Sequence, residues 1–471
     1  MAMVQNPVLK RPDRPAGALR LLVLALGAIG ASSAFSQTVT VTPSVQSRLT
    51  WTDNVGASSD KESDWIAEIS PGITVSRKSG RFSGLLSAQL RNVGYANDSS
   101  RNTTYLALQG RGEIEAVENL LFVDLNANIS RNNTSAFSGR SSSDELSVDK
   151  NNETRTWSIG PRLEFRLGDT ASGSVRYKAS WLESGGSTIG NQRLNELTAQ
   201  ASDPAAVRLF GWGLSYSRSE SEYDNSASRN VTEEIGRATL YVNLTPQFRL
   251  RVIGGHEKND YASTENESGN IYGGGFDWNP TDRTTISGTT EDRVFGTGYN
   301  FSLKHRAQRS TWDLSYVKDI SSSLQTITDG GRLAEAEATC QAFMGITEVP
   351  AGGMLLQIYD ACLSSFGVSR LGSQEFVSNA HYVSKTWRVA YSLLGVRNSL
   401  TVSAQQSDRS RLSSITGLST EDDFALSDTI KTTSLTVSLN HKLTGMSSLN
   451  TAVTRSRSQG ASGTSLDTKR L

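Results

Sequence analysis

The chain reads as an all-β protein, a transmembrane antiparallel β-barrel of about 19–22 strands with a small helical insert in one long loop. The first observation is a two-residue rhythm running from about Gln37 onward. In the segment Thr156–Leu167, Trp157, Ile159, Pro161, Leu163, Phe165 and Leu167 share one phase, while Ser158, Gly160, Arg162, Glu164 and Arg166 share the other. Apolar side chains on one face and charge on the other describe a strand with water on one side only. The second observation is composition. Hydrophobic residues make up only 36% of 471 residues, and Lys+Arg balance Asp+Glu at 47 each. That is little apolar material for a large buried core, but enough for a barrel, which needs it only on the lipid face. The balanced charge gives no field that calls for nucleic acid or a polyanionic substrate. The third observation is the alternation of tight and long connections.

Residues 1–36 are read as a secretory signal. Lys10, Arg11, Arg14 and Arg20 form its basic region, Leu21–Ala31 its short apolar run, and Ala34-Phe35-Ser36 a small-x-small cleavage site. No later run approaches the ~18 apolar residues of a membrane-spanning helix. Export therefore leaves a secreted soluble β-protein or an outer-membrane barrel, and the strand pattern favours the barrel.

Barrel strands are expected over residues 37–319 and 374–471, about 19 in the count. Tight turns are expected at Lys78-Ser79-Gly80, Val117-Glu118-Asn119, Gly168-Asp169-Thr170, Ser202-Asp203-Pro204, Thr245-Pro246-Gln247 and Asn279–Asp282. Ala307–Arg309, Gly395–Arg397 and Thr444–Met446 continue the series. The connections between them are longer and rich in Ser, Asn and Asp, for example Asn132–Glu153 and Arg409–Asp423. With the amino terminus in the periplasm, the tight set lies inside and the long set outside. The last residues, Asp467–Leu471, look like the opening of a further strand and carry no terminal aromatic, so the sequence is expected to stop short of the final strands.

One connection differs. Residues 320–373 contain the helix-forming run Arg332–Met344 and then Met354, Ile358, Cys362 and Phe366 at i+4 spacing, on either side of a Pro350-containing stretch. This predicts a helical hairpin, a cap or a plug. Cys340 and Cys362 are the only cysteines; one per helix in an exported chain, they are expected to form a disulfide. No histidine or carboxylate set accompanies them at zinc-ligand spacing.

Motifs along the chain support a resemblance. Leu49-Thr-Trp-Thr-Asp-Asn-Val55, Ile69-Ser-Pro-Gly-Ile73, Val294–Arg306 running into Arg309–Tyr316, and Tyr382–Trp387 leading into Gly395–Leu400 resemble the PEP-CTERM-system-associated outer-membrane β-barrel family. The resemblance implies a Gram-negative outer-membrane location, and an association with exopolysaccharide production and exosortase sorting. It implies no established molecular activity.

Sites for chemistry are sparse. His256, His305, His381 and His441 are scattered one per strand, and no Gly-x-Ser-x-Gly is present, so no enzyme is expected. The run Tyr272-Gly-Gly-Gly-Phe276 lacks a following lysine and helix, and is read as close backbone approach within a strand, not a phosphate cradle. No cofactor or metal is expected. Candidate lumen charges are Arg162, Glu164, Arg166, Arg176, Arg249 and Arg251. Candidate interfacial aromatics are Trp51, Trp65, Trp157, Trp278, Trp312 and Trp387. The expected partners are outer-membrane lipid and, through the resemblance, exopolysaccharide or polysaccharide-export proteins. Two functional classes follow: a conduit for polymer or solute, or a surface scaffold that binds matrix polysaccharide or protein without transport.

Overall fold

The computed structural model describes the chain between residues 39 and 470, apart from 57–59, 134, 138–150, 169, 185–189, 224–229, 262–266, 329–339, 341–358, 360–362, 364–367, 370–371, 374–375, 413–417, 419–421, 445–447 and 462. The signal segment lies outside the described residues.

Twenty strands form one antiparallel meander. They are β1 (Val39–Thr52), β2 (Asp64–Ser79), β3 (Phe82–Tyr95), β4 (Thr103–Val117), β5 (Leu121–Asn133), β6 (Asn151–Leu167), β7 (Ala171–Ser184), β8 (Gln192–Val207), β9 (Phe210–Tyr223) and β10 (Val231–Thr245). The wall continues with β11 (Phe248–Asn259), β12 (Glu267–Thr281), β13 (Thr284–Arg293), β14 (Gly296–Arg306) and β15 (Ser310–Ser322). A small ribbon of β16 (Val368–Ser369) and β17 (Gly372–Ser373) interrupts it. β18 (His381–Leu394), β19 (Asn398–Arg411), β20 (Thr429–Lys442), β21 (Ser448–Gly460) and β22 (Ser465–Arg470) then complete it. Each wall strand pairs with the next in sequence, β15 pairing with β18 across the ribbon. Among the described residues β1 and β22 are the two edges. The stretch read as the start of a further strand pairs with β21 as β22, from Gln459↔Ser465 to Thr454↔Arg470.

The two faces of the wall differ as the alternation predicts. Trp157, Ile159 and Leu163 are exposed on the outer face of β6, while Thr154, Thr156 and Ser158 are buried on the inner one. An apolar outer surface and a polar interior invert the layout of a soluble globule and match a barrel in lipid. Leu49, Trp51, Trp65 and Ile69 continue the apolar surface on β1 and β2, and Leu435, Val437 and Leu439 on β20.

Most turns fall where expected. Asn119 takes a φ of 54° in the β4–β5 turn, and Gly168 a φ of 70° after β6; both types tolerate this left-handed backbone. One expected turn is not a turn. Ser202-Asp203-Pro204 lies inside β8, which runs on to Val207, and the chain reverses at Arg208–Leu209. Register shifts between Asp203 and Val207. Proline cannot donate to the ladder, and here a bulge accommodates it instead of a chain reversal. In the same way Pro280 stays within β12, beside a register shift between Trp278 and Thr281.

Two short helices flank the long connections. α1 (Ser323–Thr328) follows β15 directly, and α2 (Asp423–Leu426) sits in the β19–β20 connection, where a loop is expected from the sequence. The insert therefore starts at Ser323, three residues later than expected, because β15 extends to Ser322. Of its expected helices, Cys340, Tyr359 and Leu363 are described, each helical and fully buried. Cys340 is disulfide-bonded; Cys362 lies outside the described residues.

Candidate functional site

The described residues of the β15–β18 connection do not stand away from the barrel. They reach across the mouth at the long-loop end and pack against strands seven to ten places away along the sheet. α1 lies against β6 and β8, and the β16–β17 ribbon against β5. Leu324 of α1 and Val377 are buried with Leu182 of β7 and Leu194 of β8. Those leucines project from the inner face near the loop ends of their strands. Phe376 is buried with Ala136 from the β5–β6 connection, with Phe424 of α2, and with Tyr382 and Ile430 of the wall. We call residues 376–380, with α1, the crosspiece.

Polar contacts fasten the crosspiece to the β19–β20 connection and to the wall. The Ser378 hydroxyl donates to Asp422 at 2.8 Å, and the Asn379 amide to the same carboxylate at 3.1 Å. Asp422 also caps α2 by accepting from the Phe424 amide at 2.9 Å. Its neighbour Asp423 accepts from the Ser135 hydroxyl at 2.9 Å and from the Ala136 amide, tying the β5–β6 connection to α2. Gln192 of β8 donates to the Asn379 side chain, and the Ser378 amide donates to Ser323 at 3.0 Å. Burial pushes the Asp422 carboxyl above the ordinary carboxylate value, and its hydrogen bonds pull the other way. The Arg409 guanidinium covers the rings of Phe376 and Tyr382, with centroids at 5.1 and 5.2 Å. His381, where β18 begins, is held by Tyr261 at 4.9 Å between centroids and by the Tyr223 hydroxyl at 3.4 Å.

Nearer the tight turns, the inner face carries charge. Arg162 reaches Glu113 at 3.0 Å, Glu164 at 2.9 Å and Asp124 at 3.7 Å, and Arg176 also pairs with Asp124. Five strands further along the sheet Arg249 and Arg251 share Asp277 at 2.9 and 3.2 Å, and Arg237 pairs with Glu291 at 3.0 Å. Arg249 also stacks over Tyr241, whose ring occupies the space above Gly213. Arg166 is exposed and makes no ion pair among the described residues. So Arg162, Glu164 and Arg176 come together in one cluster, Arg249 and Arg251 in a second, and Arg166 joins neither.

Of the expected aromatics, Trp51 and Trp65 face each other across β1 and β2, and Trp157 pairs with Trp181. Trp387 stacks on Tyr316 at 4.2 Å. Trp51, Trp65, Trp157 and Trp181 lie toward the loop end of the outer face, and the Trp387–Tyr316 stack lies midway along its strands. Trp278 and Trp312 lie toward the tight-turn end, Trp312 against Tyr391 at 4.4 Å. His305 and His441 pair across strands with Trp312 and Leu449 on the same outer face.

Several residues of the site escaped the sequence reading. Asp422 was hidden in a Ser- and Asp-rich loop, although Asp before Phe-Ala-Leu is a helix-capping signal. Arg293 carries no local sequence signal, yet with Arg409 it is among the most buried cations of the described wall. It meets Glu257 at 2.6 Å, Asp319 at 2.6 Å and Glu233 at 3.5 Å. Four strands supply this network, and no local motif marks it.

No protein-family model and no curated protein matches the chain. Among solved structures it is similar to the FrpB iron transporter from Neisseria meningitidis, at 10% identity and a TM-score of 0.40, covering 93% of this chain and 76% of that one. It is also similar to the siderophore receptor PirA from Pseudomonas aeruginosa (9% identity, TM-score 0.42, 92% and 73% covered). A third likeness is to OccK2 of the same organism (9%, 0.31, 91% and 93%).

Proposed function

We propose that this chain is an outer-membrane barrel that acts as a gated, non-enzymatic conduit for hydroxyl-rich polymer, with the crosspiece as its gate. The observation that carries the proposal is a short segment spanning the mouth of a wide polar lumen and held there by a few side-chain contacts. Twenty strands spaced about 4.8 Å and tilted about 40° give a backbone diameter of roughly 40 Å. An empty lumen of that width would leak, and the crosspiece lies across its outer end. The outer face fits the membrane location. From Trp157 to Phe165, β6 spans about 26 Å, or about 20 Å of membrane depth at that tilt, close to the apolar band of such barrels.

The inner wall suits a neutral, hydroxyl-rich solute. The cations of its two clusters are matched by carboxylates, and Ser, Thr, Asn and Gln supply donors and acceptors. The resemblance to PEP-CTERM-associated barrels supplies the solute class, exopolysaccharide, and the link to surface sorting. A surface scaffold is the second reading, favoured by the burial of Phe376, Phe424 and Tyr382 in one joint core.

Planar-bilayer conductance separates the two. The full chain is expected to be closed or to flicker, and to conduct steadily once Gly331–Gly372 is deleted and Ser378 and Asn379 are changed to alanine. Absence of conductance in both forms would reject the conduit and leave the scaffold.

A further inference from the structure

We infer that the outer face of strands β15 and β18–β22 carries a binding surface for the phosphate groups of an anionic outer-leaflet glycolipid, lipopolysaccharide. The inference rests on the outer-membrane reading above. It starts from an unequal distribution of charge around the outer face at its loop end. Between β6 and β11 each outward cation faces an acid directly across the ladder. Arg155 stands opposite Glu183, Arg193 opposite Glu222, and Arg218 and Lys258 stand opposite Glu234 from either side. That sector compensates itself.

The other sector does not. Lys318 of β15 stands directly opposite Lys385 of β18. Like charges placed face to face across a ladder destabilise it. Lys385 in turn faces Asp408, and Asp408 faces Lys431, so one carboxylate serves two ammonium groups. The Asp408–Lys431 distance is 4.0 Å, and Lys385 and Arg457 make no ion pair among the described residues. Arg455 stands opposite Lys469 across β21 and β22 and forms an ion pair with Asp467 at 2.8 Å, the acid that also stands opposite Arg457. Six cations thus share two acids, Asp408 and Asp467.

The height of these residues suits a headgroup. Lys385 follows the phase of Trp387, Val389 and Leu393, all exposed to the lipid side, and lies two residues beyond Trp387 toward the loops. Lys318 stands in the same relation to Tyr316, and the Trp387–Tyr316 stack marks the edge of the apolar band. Two residues of strand are about 7 Å, so the ammonium groups lie just above that edge, where long cationic stems extend to the polar layer. The hairpin ends step downward along the ladder, from Ser310↔Leu393 through Asn398↔His441 to Lys442↔Ser448. This stagger brings Arg455 and Arg457 toward the height of Lys385, although their ladder partners lie lower on β20. The ammonium of Lys318 is further directed over the rings of Tyr299 and Phe295 at 5.9 and 5.8 Å. A row of cations at one depth, short of acids and beside an aromatic pair, fits phosphomonoesters on a sugar at the bilayer surface. Charge-assisted bonds from Arg and Lys would relieve the Lys318–Lys385 repulsion.

The test uses the full chain refolded into phosphatidylcholine vesicles, then challenged with bis-phosphorylated lipid A or its dephosphorylated form. Insertion is read from heat-modifiable gel mobility, and bound glycolipid by native mass spectrometry after transfer to detergent. The parent is expected to insert without glycolipid and to retain the phosphorylated form alone, with 10 mM inorganic phosphate failing to displace it. The variant K385S/K431S/R455S/R457S is expected to insert equally and to retain at least ten-fold less. R155S/R193S/R218S/K258S, from the compensated sector, is expected to retain as much as the parent. Should the four-fold variant fail to insert, K385S/K431S is expected to lose about three-fold. Parent that inserts but binds both lipid A forms alike, or an inserted K385S/K431S/R455S/R457S or K385S/K431S variant that binds as the parent does, would overturn the inference and leave the membrane reading standing. Parent that does not insert would overturn both.

Discussion

Replacing Asp422 with alanine is expected to free the crosspiece while leaving the wall intact. The carboxylate accepts from the Ser378 hydroxyl, the Asn379 amide and the Phe424 amide. Its removal strands three buried donors, each costing about 1–3 kcal/mol when unsatisfied. Water entering the vacated space satisfies a share of them, and the carboxylate's own desolvation is recovered. A net loss of about 3 kcal/mol is then reasonable, a shift of roughly 100-fold between docked and undocked crosspiece. Hydrogen exchange at the Ser378 and Asn379 amides reads this directly, because both amides are protected only by crosspiece contacts. Their protection is expected to fall by roughly that factor while amides in β6 and β19 are unchanged. Asp98→Ala makes a suitable control: Asp98 caps a three-residue helical turn at the same end of the barrel and touches no part of the crosspiece. If the Asn379 amide exchanged at the parent rate in Asp422→Ala, the carboxylate would not be a fastening and the gate reasoning would fail.

The crosspiece should also respond to pH in a definite direction. The docked Asp422 carboxyl lies above its ordinary value, so its contribution is fully present below that ordinary value and is lost as pH rises through the docked one. Exchange at Asn379, corrected for its intrinsic rate, is expected to be slower at pH 4 than at pH 7, and the opposite order would refute the assignment. Arg293→Leu leaves the buried Glu257 carboxylate without its partner and is expected to cost about 3–5 kcal/mol in urea unfolding from vesicles. Arg293→Leu/Glu257→Leu should recover most of that, and a single variant within about 1 kcal/mol of the parent would mean the network carries little. A side chain at Gly275 would begin 2.6 Å from the Gly288 carbonyl, whereas Gly254 has open space on the outer face. Gly275→Leu is therefore expected to block the folded gel band and Gly254→Leu to keep it; equal folding of both would show that the backbone can yield there.

The wall was legible because its signal is repeated in every strand. Each strand shows the same phase, and an error at one turn, as at Pro204, leaves the neighbouring strands in place. The Gly273–Gly275 run was legible for a related reason. A Cβ at Gly273 would lie 2.6 Å from the Thr290 carbonyl, the close approach that three successive glycines suggested. The crosspiece was not legible. Asp422, Ser378, Gln192 and Ala136 come from four parts of the chain, and each sits in a stretch whose composition is that of any outer loop. Only the curvature of the sheet, which brings the β15–β18 connection to the inner face of β6–β8, makes them neighbours. The Lys318–Lys385 pair was hidden differently. Both residues are visible in the sequence, but their opposition depends on a register set across a connection of more than fifty residues.

The wall and the crosspiece are held by contacts of different kinds, and that difference decides what can move. Opening the wall means parting a ladder such as β15–β18, paired continuously from Ser310↔Leu393 to Ser322↔His381, with water absent on one side to replace its bonds. Undocking residues 376–380 breaks no wall pairing. It releases the Asp422 and Gln192 contacts and exposes Phe376 and Val377, each worth about 1.5–3 kcal/mol of burial. The total is on the order of several kcal/mol, comparable with the ~5.5 kcal/mol by which a ligand's differential affinity moves an equilibrium from 1:99 to 99:1. A polymer or partner that binds the undocked form that much better would suffice to open the mouth. The charged clusters below would be undisturbed, since Arg162, Arg176, Arg249 and Arg251 take their partners from the wall alone. Gating confined to the crosspiece therefore needs no change of barrel shape, and a change in strand pairing on opening would point to a mechanism of another kind.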